Sequence, residues 1–308
     1  MSKISFICPV FNKKKYLSRV LNSIKNQKGS FEKEYIFIND GSRDGSLEYI
    51  KKTTSKWKNT LILSQSNKGP AKATQLGIKH SQGDFIKLVG GDDVMSPNCS
   101  ELLLQAIQKT NSVATFSNYK LIDNYEKIKF KKNPIQNVRV IEKPMQNTIK
   151  SSFSGTTPNL YCNRTIKKSG GCNEKIFIED FSLVLGLSKY GSFSFIDNLT
   201  CYGPKNDKKR IMEGKKTQLI HDYNAALYYF FKENNDIDTS IIKIACKKSL
   251  GRTDKWYRRE LGRTIFNKMV LYKISLLLGR NDYLDLIKQS CIFFYEKISR
   301  NCIRYKIL

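Results

Sequence analysis

The sequence predicts an α/β fold, with a mostly parallel central sheet, flanking helices and a C-terminal helical region. Three observations predict it. Strand and helix patterns alternate four times in the first hundred residues, the signature of a parallel, doubly wound sheet. The chain has 308 residues and is 40% hydrophobic, enough for one large domain with an appendage and too apolar for disorder. Beyond about residue 215 the pattern turns mostly helical.

The elements follow in order. "KISFICPVF" (3–11) is a β-rich apolar run of the kind buried on both faces. A helix follows, with Leu17, Val20, Leu21 and Ile24 at helical spacing and Asn12 as its expected N-cap. "EYIFIND" (34–40) is a second strand, "GSRDGS" a turn, and "LEYIKKTTSKW" a second helix. "TLILSQS" (60–66) and "DFIKLVG" (84–90) are the third and fourth strands, separated by a glycine turn and the helix of "NKGPAKATQLGIKHSQ". Residues 99–119 read as a helix and a strand. Residues 120–150, charged and broken by Pro134 and Pro144, read as an exposed excursion or hairpin, and 153–197 return to ordered alternation. The expected division is an α/β domain over 1–205, split into halves 1–98 and 99–205, and a basic, mainly helical region over 206–308.

Formal net charge is +27, a field that favours anionic partners: nucleotides, nucleic acid or an acidic membrane surface. An alternative source of the excess is coding bias, since Lys, Asn and Ile are abundant. Eight cysteines are scattered without a Cys-x-x-Cys pair, which leaves zinc knuckles and dithiol redox motifs unsupported. Cys8, within an apolar run, reads as a small buried hydrophobe. The N-terminal apolar run is too short for a signal peptide, and "MVLYKISLLLG" (269–279), interrupted by Lys273, is too short to span a bilayer. The cytoplasm is the expected compartment.

Ligands of parallel sheets sit at the carboxyl ends of the strands. Three of those ends carry suitable groups: "PVFN", "NDGS" and "GGDD". The succession "PVFN", "NDGSRDGS", "NKGPAKATQLGI", "GDFIKLVGGDDVMSP" and "GGCNEKIFIEDFSLVLGLSKYG" resembles the family 2 glycosyltransferases of the GT-A fold, over roughly residues 3–200. Each motif alone is weak; five in order and at the right spacing are specific.

The resemblance implies an inverting enzyme that moves a sugar from a nucleotide-diphosphate donor to a hydroxyl. It places Pro9, Phe11, Asp40, Gly69, Lys72, Gly91, Asp92 and Asp93 at the nucleotide-sugar. Asp92 matches the last Asp of the family's Asp-x-Asp motif, the ligand of a Mn²⁺ or Mg²⁺ ion that takes up charge on the leaving diphosphate. Asp93 is expected on the sugar or a bound water. Asp40 matches the carboxylate that accepts from a uracil-like N3–H, and Phe11 the aromatic against that ring; the other readings are an Asx turn and core packing. The donor is expected to be a UDP-sugar, with dTDP sharing the same N3–H. Asp180 matches the general base that deprotonates the acceptor, and Glu179 its neighbour that orients the acceptor; helix capping is the alternative for Asp180. Gly170 and Gly171 match a turn on the acceptor side.

Two positions depart from the family. Gly90 stands where the first Asp of the motif belongs, and Thr74-Gln75 replace an Arg-Asn. Lys72 or Lys68 could supply the missing charge. His80 is expected exposed, and His221, beside Asp222, has no motif that ties it to the diphosphate.

Residues 241–308 hold 16 Lys+Arg against 5 Asp+Glu, interleaved with Trp256, Tyr257, Phe293, Phe294 and Tyr305. The last helix has Ile287, Cys291, Phe294, Ile298 and Cys302 on one face. It either lies on an acidic membrane, which suits a lipid-linked glycan acceptor and peripheral attachment, or packs on the catalytic domain. Cell-surface polysaccharide synthesis is the expected setting. The rival functions are a non-catalytic nucleotide-sugar-binding relative and a basic nucleic-acid-binding protein.

Overall fold

The computed structural model describes residues 1–130, 134–153, 157–205, 216–260, 262, 268–279 and 282–297. The chain begins with β1 (Lys3–Val10), α1 (Lys14–Lys25), β2 (Glu32–Asp40), α2 (Ser46–Thr54), β3 (Thr60–Gln65), α3 (Pro70–His80) and β4 (Phe85–Leu88). It continues through β5 (Val94–Met95), α4 (Cys99–Thr110), β6 (Ala114–Ile122), a 3-10 turn, β7 (Val138–Ile141), α5 (Pro144–Ser151), β8 (Asn159–Cys162), α6 (Asn163–Lys168), α7 (Glu179–Leu187) and β9 (Phe193–Pro204). Helices α8 (Lys216–Glu233), α9 (Thr239–Glu260), α10 (Lys268–Leu277) and α11 (Tyr283–Lys297) follow.

One sheet runs in the order β3-β2-β1-β4-β8-β6-β9-β5, with β7 paired to β9. The first four strands are mutually parallel, and beyond β4 the sheet is mixed. β1 lies at the centre of the parallel part because both its faces are apolar. Ile4, Phe6, Cys8 and Val10 pack with Leu17, Val20 and Leu21 of α1 on one side. Ile7 packs with Ala73 and Ile78 of α3 on the other. Successive strand residues point to opposite faces, so an unbroken apolar run is what a strand covered on both sides requires. Gly77 lets α3 lie directly on the sheet: a Cβ there would come within 2.4 Å of Ile7 Cγ2.

The stretch 120–150 differs from the expected excursion. β7 pairs antiparallel with β9, Val138 opposite Ile196, and α5 buries Ile149 in the core. Its Lys and Glu residues hid the pattern, because the strand is half-covered and the helix short. Asn12 also departs from its expected role: it has φ 53°, and its side chain accepts from Arg43 N instead of capping α1.

The tail is part of the same body. Phe181 and Leu185 of α7, and Ile176 and Ile178 before it, share one core cluster with residues of α8, α9, α10 and α11. Trp256 meets Phe294 and Tyr257 meets Phe293, with ring centroids 4.9 and 5.2 Å apart. Ile287, Cys291 and Phe294 are buried, so this face of α11 is covered by protein; Ile298, Cys302 and Tyr305 lie outside the described residues. Trp256, Tyr257, Phe293 and Phe294 are therefore core side chains. No described helix is long and apolar enough to cross a membrane, and the seven described cysteines are free.

Candidate active site

Parallel pairing carries the ends of β1, β2 and β4 to one edge of the sheet. Val10 is opposite Asn39 and Ile7 is opposite Leu88, so Phe11, Asp40 and the 90–93 turn follow at that edge. Phe11 is only partly buried and Pro9 likewise. The Asp40 carboxylate is buried and ties down the loop after β3. Oδ1 accepts from Gln65 Nε2 and Lys68 N, both 2.8 Å, and Oδ2 accepts from Gly69 N at 2.9 Å. Gly69 thus meets Asp40 through its backbone. Lys72 is half-buried on α3 and Lys68 is exposed.

Asp92 and Asp93 have opposite fates. Asp92 reaches the cleft edge, and its Oδ2 pairs with Lys13 Nζ at 2.5 Å; its backbone carbonyl accepts from Tyr125 Oη. Asp93, expected on the sugar or a bound water, is buried, and both its oxygens meet protein donors. Its Oδ1 accepts from Tyr119 Oη at 3.0 Å and its Oδ2 from the Thr157 hydroxyl. A carboxylate in a low-dielectric interior needs donors on both oxygens, and the two hydroxyls provide them.

Gly90 is explained by the same arrangement. A Cβ at Gly90 would come 2.6 Å from Asp93 Oδ2, and Gly90 N donates to Thr157 Oγ1 at 2.9 Å. A Cβ at Gly203 would likewise come 2.5 Å from Asp93 Oδ1. Two glycines therefore make the slot in which Asp93 sits. Burial first, then the charges of Asp92 and Asp93, push the Cys8 thiol well up, so Cys8 is the inert hydrophobe its apolar run predicts.

Thr74 is buried, and Gln75 links the two halves of the domain. Gln75 Nε2 donates to Gly170 O at 3.0 Å, and Cys172 N donates to Gln75 Oε1 at 2.8 Å. The Gly170-Gly171 turn takes φ of 83° and 77°, conformations that favour glycine.

That turn leads to α7, where Glu179 and Asp180 open the helix. Asp180 Oδ1 accepts from its neighbour Phe181 N at 2.7 Å. Burial raises the Asp180 carboxyl to about 6, partly opposed by backbone hydrogen bonds from Phe181 and its own N–H. Burial also raises the Tyr161 hydroxyl and the Cys172 thiol, and the 179–180 carboxylates add to both shifts. The tail braces this segment: Asp222 Oδ2 accepts from Phe177 N at 2.8 Å, and Asp222 Oδ1 contacts His221 Nδ1 at 2.8 Å. His221 is thus a buried partner of Asp222, while His80 is exposed, with Nδ1 2.9 Å from Leu76 O.

Lys13, Tyr119 and Thr157 were not legible as site residues. Lys13 had one available signal, its position directly after a strand end that carries ligand groups. Tyr119 and Thr157 lie on separate elements and had none.

A parallel sheet with polar and acidic groups at its strand ends, completed by mixed strands and a partly buried acid at a helix start, is the GT-A type of α/β fold. The S. aureus TarS crystal structure of residues 1–349 with UDP-GlcNAc superimposes with a TM-score of 0.65 at 17% identity, covering 97% of this chain and 93% of that one. A sequence profile of glycosyl transferase family 2 matches residues 5–170, and this chain belongs to that family. An uncharacterized glycosyltransferase of Haemophilus influenzae is 36% identical over 125 residues, 40% of this chain and 49% of that protein. The Pasteurella multocida hyaluronan synthase is 25% identical over 248 residues, 77% of this chain and 25% of the synthase. The matched stretches span half of these relatives or less.

Proposed function

We propose that this chain is an inverting glycosyltransferase that moves a sugar from a UDP-sugar to a hydroxyl of a glycan or lipid-linked glycan in cell-surface polysaccharide synthesis. The observation that carries the reading is Asp180: a partly buried carboxyl at a helix start, raised to about 6, suited to take a proton near neutral pH. The UDP-GlcNAc complex of TarS and the synthase relatives support the donor class and the setting.

In this mechanism Phe11 and Asp40 shape the base pocket, Asp40 through the 65–69 loop it holds. Glu179 orients the acceptor and Asp180 removes its proton as the hydroxyl attacks the anomeric carbon in line. A single displacement inverts that centre and needs no covalent intermediate. Asp92 would hold a Mn²⁺ or Mg²⁺ ion: the Lys13 ammonium against its Oδ2 is a stand-in cation. Among the described residues no group of three or more His, Cys, Asp or Glu could hold a metal, so Asp92 would need ligands from the substrate to hold the ion. When bound, the ion neutralises charge on the leaving diphosphate.

Thermal unfolding with nucleotides checks the donor. UDP or dTDP with Mn²⁺ is expected to raise Tm by several degrees, since ligand at 100 times Kd adds about 2.7 kcal/mol. No shift with either nucleotide would sink the donor assignment.

The membrane contact belongs on α10, not on the α11 face. Leu271, Ile274, Leu277 and Leu278 are 61, 48, 85 and 61% exposed, a leucine stripe in a region rich in Lys and Arg. Flotation with anionic vesicles is expected to carry the protein, and Leu277→Glu with Leu278→Glu to release it. A wild-type chain that stays behind with anionic and neutral vesicles alike would overturn the contact.

A further inference from the structure

The residue that the mechanism leaves unused is Lys13. Its ammonium is buried, with a side chain 6% exposed, against an Asp92 side chain 14% exposed. The pairing is built in rather than incidental. Lys13 N donates to Ser46 Oγ at 3.0 Å, and Ser46 is held by Asp44 through its N–H and hydroxyl, at 3.0 and 2.6 Å. Lys14 N donates to the same Asp44 at 3.0 Å. The turn after β2 therefore fixes the start of the side chain. Gly91 fixes its path: a Cβ there would come 3.2 Å from Lys13 Cγ and 3.3 Å from Pro9 O, so the lysine stem runs over bare backbone.

We infer that Lys13 is an exchangeable counter-ion: it neutralises Asp92 in the free protein and moves to the donor diphosphate when a divalent cation takes Asp92. The inference rests on the proposed reading that a nucleotide diphosphate binds at this strand end. The physical argument is charge. A partly buried carboxylate left unpaired is strongly unfavourable, and so is an unpaired buried ammonium; each supports the other while the site is free. A dication on Asp92 adds two positive charges beside the ammonium, and like charges at contact distance repel strongly in this surrounding. The ammonium sits on a flexible four-carbon stem, and the donor's phosphate oxygens would be the anions nearest to it once the nucleotide binds. Lys13 thereby opposes the cation in the free protein and favours the nucleotide in the loaded one, so each ligand is coupled to the other through one side chain.

The two roles give opposite signs for one substitution. In Lys13→Met, Mn²⁺ without nucleotide, followed by the spectroscopic signal of the free ion, is expected to bind at least tenfold tighter than in the wild type. UDP in the presence of Mn²⁺, followed by titration calorimetry, is expected to bind at least tenfold weaker. Lys13→Arg keeps the charge and is expected to stay within a few-fold of the wild type in both. Lys13→Gln replaces the methionine variant if that one does not accumulate as folded protein. Unchanged or weaker Mn²⁺ binding in the neutral variants, or unchanged UDP binding, would overturn the exchange. Failure of wild-type UDP binding would instead overturn the donor assignment, and the Mn²⁺ arm, which needs no nucleotide, would still report on Lys13.

Discussion

Asp180→Asn is expected to lower kcat by about a thousandfold, the middle of the range for a lost general base, with UDP binding unchanged. Asn fills the same space and keeps a carbonyl oxygen for Phe181 N, so the loss is chemical. The pH dependence has a definite sign. A base must be ionised to act, and with its carboxyl at about 6 the wild-type rate rises as pH climbs through that value. Stability runs the other way. The folded carboxyl holds its proton more tightly than the unfolded one, at about 3.9, so its contribution is full below about 4 and lost as pH rises to about 6. Asp180→Asn is accordingly expected to melt above the wild type at pH 8 and to lose that advantage by pH 4. A variant with wild-type turnover would remove Asp180 from the mechanism.

Gly90→Asp, which restores the carboxylate of the family motif, is expected to destabilise this chain by about 2 kcal/mol, typical of overpacking a filled site, and to weaken UDP binding. The new Cβ meets Asp93 Oδ2, which Thr157 holds from the other side. The added charge also faces two carboxylates already at the strand end. Gly90→Ala has the clash without the charge and is expected to lose stability to a similar degree but less nucleotide affinity. Chemical denaturation measures both; a Gly90→Asp protein as stable as the wild type would show that the Asp93 slot does not depend on glycine.

The parallel half of the fold was legible because local pattern and tertiary role coincide there. An apolar run such as "KISFICPVF" can only be buried on both faces, and strand ends are where turn residues and ligand groups collect. The stretch 120–150 was less legible because β7 and α5 show the sequence one buried side at most. The burial of Asp93 was not legible for a related reason. Glycines and Asp92 precede it and Val94 follows it in sequence, whereas its hydrogen-bond partners Tyr119 and Thr157 come from β6 and the segment before β8. A side chain's direction is set by partners that sequence distance conceals.

By itself the sequence determined the α/β alternation, the three strand ends rich in polar and acidic groups, the family and the acid at the start of α7, since each is written in consecutive residues. Only the tertiary structure decided which carboxylate of the Asp92-Asp93 pair is buried, why glycine occupies position 90, how Gln75 joins the two halves, and that Lys13 stands on Asp92. These rest on hydrogen bonds between residues as much as 97 positions apart, where packing and the need to pair buried charge make the choice.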